Sequence, residues 1–193
     1  ILFNCKKKVK SVGTLGFYKN LKKICETNLT TPEIEDLYKF AFSSSKNNNF
    51  DFVFEASSHG IAKKRINGLP INIAAITNIT HDHLDFHKTI NNYRNTKFKL
   101  FSKYLSKNGK AIINDKIIKI KNLKILLLKK NIEIISYGKK SSDIFCEIYK
   151  KEKIKIKIYK NKYLINFKVF SKFEIENLSC AISCCLSLGL SEK

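Results

Sequence analysis

Short apolar runs alternate with segments of helical spacing in the first half of the chain. Ile34, Leu37 and Ala41 share one face of a helix that opens at Thr31 and Pro32, where the Thr31 hydroxyl is expected to cap the first turn. A second helix is predicted from Thr89 to about Leu105. Apolar runs outside these helices predict strands at Val9–Leu15, Asp51–Ala56, Ile71–Ile79 and Lys110–Asn114. Continuous runs such as Asp51–Ala56 and Ile71–Ile79 are typical of strands covered on both faces.

The second half has a different pattern. Lys153 to Ile158 alternates strictly between lysine and isoleucine, which is typical of a half-exposed antiparallel strand. A final helix is predicted from Glu174 to Leu190. The neighbouring strands of this section are predicted at Ile132–Tyr137, Asp143–Tyr149, Lys153–Tyr159 and Tyr163–Val169. Together the two halves predict an α/β fold, mainly a parallel sheet flanked by helices, with a small antiparallel β section in the second half.

Composition narrows the function classes. The formal net charge is +21, and 37 residues are Lys or Arg, of which only Arg65 and Arg94 are Arg. A charge of this size keeps a nucleic-acid-binding module open as an alternative, although Arg is the residue that best recognises bases and phosphates. Six cysteines without a CxxC pair suggest reduced thiols in the cytoplasm. The sequence contains no run of about 18 uncharged apolar residues, so it predicts no membrane-spanning helix.

Two polar clusters follow predicted strands, and a lysine lies on the next helix. The clusters are Glu55–Gly60 and Thr77–His87, and the lysine is Lys97. Ligands of open α/β sheets bind at the carboxyl ends of strands, so these clusters are the candidate site. His81, His83 and His87 could hold a transition metal for hydrolysis, although carboxylates beside a parallel sheet favour Mg²⁺. The turn Gly13-Thr14-Leu15-Gly16 could contact phosphate, but it lacks the lysine of a phosphate loop.

Several motifs resemble one enzyme family. They are SSHG followed by an Arg, then TN-x-T-x-DHLD-x-H at Thr77–His87, then a lysine fourteen residues past His83. The whole string from Glu55 to Phe101 strongly resembles the central domain of the Mur ligases, within them the branch that adds the third peptide residue. Thr30-Thr31-Pro32 and Phe173–Asn177 resemble two further family segments. The resemblance weakens between Lys116 and Lys168.

The resemblance implies a P-loop-NTPase-like central domain of a cytoplasmic, monomeric ligase of peptidoglycan synthesis, and thereby a role in cell-wall biogenesis, cell shape and division. Such a ligase uses ATP and Mg²⁺ to phosphorylate a carboxylate, and an amine then displaces the phosphate. The implied partners are UDP-N-acetylmuramoyl-L-alanyl-D-glutamate and a free amino acid, either meso-diaminopimelate or L-lysine, with no specific nucleic acid and no membrane.

The resemblance also implies roles for individual residues. Glu55 and His83 would be catalytic magnesium ligands, and Lys97 would carry a carbamate that helps to hold the metal. Asn177 would contact the adenine of ATP. The dipeptide substrate would be held by Thr30, Thr31, Ser57, Lys63 and Arg65.

Departures from the family pattern set further expectations. Glu174 stands where an Asn is expected, and Ser171 stands where a Gly is usual. The family's phosphate loop is expected shortly before Ile1, so residues 1–193 would be a central domain truncated at both ends. A uridine-binding domain would precede it and an amino-acid-selecting domain would follow. We therefore expect no ligase activity from the 193 residues alone. A remnant that binds a nucleotide-sugar without catalysis remains a further alternative.

Overall fold

The computed structural model of the protein describes residues 1–43, 50–80, 82–118, 121–150, 152–168 and 171–192. The chain forms two compact units. The first contains the described residues of Ile1–Pro70 and His81–Tyr104, and the second contains those of Ile71–Thr80 and Leu105–Lys193. Each unit has its own sheet and its own helices.

The first unit is built on a four-stranded sheet in the order β3-β2-β1-β4. Its strands are β1 (Val9–Gly13), β2 (Gly16–Lys19), β3 (Lys22–Cys25) and β4 (Asp51–Phe54). β1 pairs with β4 in parallel, and β2 pairs with β1 and β3 in antiparallel fashion. The β2–β3 hairpin was not predicted, since its strands have only four residues each and β3 is fully exposed. The prediction that β4 is buried on both faces was also wrong, because Val53 is 46% exposed.

Four helices and one π-helical turn complete the described part of the first unit. They are α1 (Ile34–Phe42), α2 (Ser58–Ala62), α3 (Leu84–His87), α4 (Ile90–Lys99) and the π-helical turn Leu100–Tyr104. The prediction that Thr31 caps α1 is wrong, since α1 begins at Ile34 without a side-chain cap. Thr89 does cap α4, because its hydroxyl accepts from the Asn92 N–H at 3.1 Å.

The second unit contains a six-stranded sheet in the order β10-β9-β8-β7-β6-β5. Pairing is parallel from β5 to β8 and antiparallel from β8 to β10. This confirms the predicted fold class, with its antiparallel section in the second half. Val169, at the end of the last predicted strand, lies outside the described residues. The strands are β5 (Ile71–Ile76), β6 (Leu105–Asn114), β7 (Glu133–Tyr137), β8 (Ile144–Lys150), β9 (Lys153–Ile158) and β10 (Asn161–Asn166).

The described residues of the second unit form three helices: α5 (Asp115–Ile118), α6 (Lys121–Lys129) and α7 (Lys172–Ser187). α7 packs against β6, β7 and β8. It packs Cys180 among the isoleucines of the sheet, and Cys185 is also buried, so both act as small packing side chains. Among the described residues, no helix combines the length and the apolar character that crossing a bilayer would require.

Candidate active site in the first unit

Glu55 is held at the end of β4 by the turn that joins β1 to β2. Its N–H donates to the Val12 carbonyl at 2.9 Å, which continues the parallel pairing by one residue. Its Oε2 accepts from the Thr14 N–H at 3.2 Å and lies 3.1 Å from the Thr14 hydroxyl, which donates to it. A Cβ added at Gly13 would lie 2.9 Å from Oε2, so a side chain there would displace the carboxylate. The turn with the GTLG sequence thus orients a carboxylate that remains exposed to solvent.

Thr31 and Ser57 form a hydrogen-bonded cluster beside Glu55. The Thr31 hydroxyl donates to the Glu55 carbonyl at 2.7 Å and accepts from the Ser57 N–H at 2.9 Å. The Ser57 hydroxyl lies 3.0 Å from the Thr31 hydroxyl and accepts from the Gly60 N–H at 3.0 Å, where it caps α2. Gly60 permits this approach, since a Cβ there would lie within 2.8 Å of the Thr31 side chain. Thr31 therefore joins the start of α1 to the start of α2 instead of capping α1.

Arg65 fastens the same cluster from the other end of α2. Its Nη1 donates to the Thr31 carbonyl at 3.2 Å, and its Nη2 pairs with the Glu33 carboxylate at 2.8 Å. The residue is 9% exposed, and its Nε is buried without a hydrogen-bond partner. The guanidinium is thus a buried cation whose visible charge partner is an exposed carboxylate of the protein.

Two more predicted substrate residues lie at the edge of this cluster. The Thr30 hydroxyl is 3.1 Å from the Thr14 hydroxyl, which connects it to the Glu55 carboxylate. Lys63 is exposed at the C-terminal end of α2. An exposed lysine has the reach to contact an anion in solvent.

His83 is presented by a left-handed turn ahead of α3. Its φ is +54°, a conformation that favours glycine and costs energy for a histidine. The Asp82 side chain supports the turn by accepting the His83 N–H at 2.8 Å, and its other oxygen is 3.4 Å from His83 Nε2. The His83 side chain is 44% exposed, so the imidazole remains accessible.

Aromatic rings surround the buried side of His83. The His59 ring meets the His83 ring edge-on at 4.9 Å between centroids and lies 4.2 Å from Phe86. His87 is 6% exposed, and its Nε2 is buried without a hydrogen-bond partner. Burial, together with His59 and His83, lowers the pKa of His87. The His87 ring is therefore a neutral member of the cluster.

Tyr93 connects this aromatic cluster to Lys97. Its ring centroid is 5.3 Å from that of His87 and 6.2 Å from that of His83. The half-buried Lys97 places its Nζ 5.0 Å from the same ring centroid. His83, from the turn ahead of α3, and Lys97, from α4, thus both lie beside the ring of Tyr93.

Asn177 belongs to the second unit and is exposed in the second turn of α7. It does not cap the helix. A capping box between Ser171 and Glu174 does so: the Ser171 N–H donates to Glu174 Oε2 at 3.1 Å, and the Glu174 N–H donates to the Ser171 hydroxyl at 3.2 Å. These two departures from the family pattern therefore have a local structural reason.

Glu55 and His83 present donor atoms that a divalent cation can bind. Glu55 offers an oriented carboxylate oxygen, and His83 offers an accessible imidazole nitrogen. Within the described ranges, no three His, Cys, Asp or Glu side chains are placed to hold a metal. His81, the first histidine of the hydrolase alternative, lies outside the described residues. The described part of the chain gives that alternative no support.

Sequence reasoning missed Thr14, Glu33 and Tyr93 as members of the site. Thr14 lies in the GTLG turn, for which the sequence suggested a contact with phosphate and not a hydrogen bond to Glu55. The four-residue spacing of Tyr93 and Lys97 is a usable signal, because such residues are neighbours on a helix.

The amino-acid sequence matches the model of a known protein family. The model of the Mur ligase middle domain matches residues 2–185. The chain belongs to the Mur ligase family. The Mur ligase resemblance stated from the motifs is thereby confirmed.

Curated relatives of this Mur ligase domain carry the name UDP-N-acetylmuramoyl-L-alanyl-D-glutamate--2,6-diaminopimelate ligase. The protein of that name from Rickettsia montanensis is 35% identical over 185 residues, which cover 91% of this chain and 38% of the relative. The one from Anaplasma marginale is 35% identical over 186 residues, covering 93% and 39%. The chain therefore spans about two fifths of the length of these relatives.

Solved Mur ligase structures have the same fold. The MurF ligase of Thermotoga maritima, solved in complex with ADP, matches with a TM-score of 0.71 at 14% identity, over 98% of this chain and 41% of that one. MurF from Acinetobacter baumannii matches with a TM-score of 0.69 at 14% identity, over 98% and 39%. At this identity the likeness concerns the fold.

Proposed function

We propose that the chain is the central domain of an ATP-dependent ligase that adds the third peptide residue to UDP-N-acetylmuramoyl-L-alanyl-D-glutamate. The names of the relatives favour meso-diaminopimelate as the added residue, with L-lysine as the second candidate. In this reaction the substrate carboxylate takes the γ-phosphoryl group of ATP. The amine then attacks the acyl carbon, and inorganic phosphate leaves.

One observation carries this proposal. A single unit holds an oriented carboxylate at Glu55, an accessible imidazole at His83 and an amine at Lys97, the latter two against one ring. Ligation brings three phosphates and a carboxylate together, so the site needs groups that gather positive charge around them.

Glu55, His83 and a carbamylated Lys97 would hold Mg²⁺, which neutralises phosphate charge when it is bound. A carbamate forms on a neutral amine and turns a cation into an anion. Lys97 is half-buried, and its Nζ lies 5.0 Å from the centroid of the Tyr93 ring.

The substrate would lie along the Thr31 cluster. Thr30, Thr31 and Ser57 offer hydroxyl groups, while Arg65 and Lys63 offer positive charge to the dipeptide carboxylates. Asn177, exposed on α7, would contact the adenine of ATP.

We also propose the length, the oligomeric state and the cellular compartment of the whole enzyme. Residues 1–193 would be the central domain of a longer, monomeric and cytoplasmic ligase with roles in cell-wall biogenesis, cell shape and division. All six cysteines are free thiols, as a reducing compartment maintains them.

The test is Lys97→Ala in the longest natural chain that contains these residues. We expect ligation to fall at least about 100-fold, because a charged group of the metal site is lost. Bicarbonate or a small carboxylate should restore part of it. Lys99→Ala, on the exposed face of the same helix, is the matched control and should leave turnover unchanged. Full turnover by Lys97→Ala would remove Lys97 from the mechanism.

A further inference from the structure

The guanidinium of Arg65 carries one donor that the described part of the protein does not satisfy. Its Nη2 lies 2.8 Å from Glu33 Oε1, and its Nη1 donates to the Thr31 carbonyl at 3.2 Å. Among the described residues, its Nε is buried and has no hydrogen-bond partner. Nε and Nη2 lie on one edge of the guanidinium, and two parallel donors on one edge can bind both oxygens of a carboxylate. Glu33 therefore contacts one donor of a two-donor edge.

We propose that Glu33 is a displaceable partner of Arg65, and that a carboxylate of the dipeptide substrate takes its place on the Nε and Nη2 edge. This inference rests on the proposed function, because that function places a dipeptide carboxylate on Arg65. It assigns Glu33 a part in specificity, since Glu33 competes with the substrate for the same donors. The incoming carboxylate binds both donors, whereas Glu33 pairs with Nη2 and leaves Nε without a partner.

The exposure of the two side chains favours this exchange. The Arg65 side chain is 10% exposed, whereas that of Glu33 is 54% exposed. A buried guanidinium needs an anion beside it, because an unpaired charge away from water is unfavourable. The Glu33 carboxylate loses little when it leaves, since an exposed ion pair is weak and the released carboxylate regains its hydration. Glu33 can thus neutralise Arg65 and still give way to another carboxylate.

The position of Glu33 at the start of α1 keeps its carboxylate available for this role. Its backbone is extended, and its side chain makes no hydrogen bond that caps the helix. The Glu33 carbonyl, in contrast, accepts the Leu37 N–H at 3.1 Å. Because the helix start depends on the backbone of Glu33, a change of its side chain should leave α1 intact.

The test measures the dissociation constant of UDP-N-acetylmuramoyl-L-alanyl-D-glutamate by titration calorimetry, in the longest natural chain that contains these residues. Glu33→Gln keeps the size of the side chain and removes its charge. Glu35→Gln is the matched control, because Glu35 is exposed in the first turn of α1 and its substitution removes the same charge two residues away. A second ligand, in which amides replace both glutamate carboxylates, shows which changes in affinity depend on a carboxylate.

We expect Glu33→Gln to lower the dissociation constant of the substrate about twofold to tenfold, because a competing and repelling charge is removed. Glu35→Gln should leave it unchanged, since solvent and salt screen a more distant exposed charge. The amide ligand should bind Glu33→Gln and the unmodified chain equally. A purely structural role of Glu33 predicts the opposite sign, because a less well positioned Arg65 would bind the substrate more weakly.

Arg65→Met completes a double-mutant cycle. This substitution keeps the length of the side chain and removes every donor of the guanidinium. In the Arg65→Met background, Glu33→Gln should no longer tighten substrate binding, because the two residues act as a pair. Should Arg65→Met fail to fold, the comparison with the amide ligand decides the same question without it.

The outcomes separate the inference from the proposed function. If the unmodified chain binds the substrate no better than its amide analogue, the proposed carboxylate site is overturned, and the role of Glu33 with it. If the chain prefers the substrate but Glu33→Gln binds it equally well or more weakly, the role of Glu33 is overturned while the substrate site stands. Equal tightening by Glu35→Gln, or tightening that persists in Arg65→Met, also overturns that role, because the effect then does not act through Arg65.

Discussion

The two units of the chain are stabilised in different ways. The core of the second unit is mainly isoleucine from β6 to β9, closed by α7. Two buried hydroxyls of α7 are satisfied within the helix: Ser179 donates to the Ile175 carbonyl at 2.9 Å, and Ser183 donates to the Ser179 carbonyl at 2.8 Å. This unit is a packed scaffold whose stability comes from apolar burial.

The first unit buries charged and polar side chains, which need hydrogen-bond partners. Lys10 is 2% exposed and directs its amine to the Phe40 carbonyl at 2.7 Å, at the end of α1, and burial together with Lys19 lowers its pKa. All four buried side-chain polar atoms that lack a partner in the described part of the chain are in this unit. They are Ser58 Oγ, Arg65 Nε, His87 Nε2 and Arg94 Nε. Such groups cost stability, and they lie among the residues proposed to bind substrate and metal.

The largest effect on stability is expected in the second unit. Ile112 is 0% exposed in β6, and Ile112→Ala should lower the free energy of unfolding by about 2–5 kcal/mol through lost burial and a cavity. Ile148→Ala, at a position 48% exposed in the same sheet, should change it by less than about 0.5 kcal/mol. Amide hydrogen exchange of each unit is the appropriate measurement, because two compact units need not unfold together. Equal losses from the two substitutions would contradict the packed-scaffold description.

A smaller effect is expected from the hydrogen bonds of the first unit. Thr31→Val should lower the free energy of unfolding by about 1–3 kcal/mol, because it leaves the Glu55 carbonyl and the Ser57 N–H without their hydrogen-bond partner. The Ser57 amide should then exchange faster with solvent. Thr31→Ser keeps the hydroxyl and serves as the control, so it should retain most of the protection. An unchanged Ser57 exchange rate in Thr31→Val would show that the cluster does not depend on these bonds.

The smallest effect on stability at neutral pH is expected from substitution of Tyr137 in the second unit. Burial raises the pKa of its hydroxyl, which donates to the Ile76 carbonyl at 3.2 Å. The pKa of Tyr137 in the folded protein lies above the value of about 10 in the unfolded chain. The contribution of this group to the free energy of unfolding is therefore fully present below about pH 10 and is lost as the pH rises further. The slope from this one group is up to about 1.4 kcal/mol per pH unit.

Tyr137→Phe should remove that part of the alkaline slope, as measured by unfolding free energies between about pH 9 and 12. An identical slope in the variant and the unmodified protein would assign the alkaline loss to other groups.

Much of the scaffold was predictable. Strict alternation in Lys153–Ile158 identified β9, since side chains of a strand point to opposite faces in turn. The continuous apolar run before Asn114 identified the end of β6, the buried part of that strand. The β2–β3 hairpin was not predictable from four-residue, lysine-rich strands, because their pairing depends on β1 beside them.

The site was predictable in part. Motif resemblance drew attention to Glu55, His83 and Lys97, but resemblance carries no information about which groups hold them. The sequence of the GTLG turn does not reveal that Thr14 hydrogen-bonds to Glu55, 41 residues away. It likewise does not reveal that Thr31 hydrogen-bonds across 26 residues to Ser57 instead of capping α1.

The amino-acid sequence by itself therefore determined the α/β class, the positions of most strands and helices and the family of the chain. These follow from short-range periodicity and from motifs within about 50 residues. Tertiary structure alone decided that Thr14 orients the Glu55 carboxylate, that Glu33 pairs with Arg65 and that His83 and Lys97 lie beside the ring of Tyr93. Such partners are set by three-dimensional packing, in which residues far apart in sequence compete for the same hydrogen bonds and the same buried space.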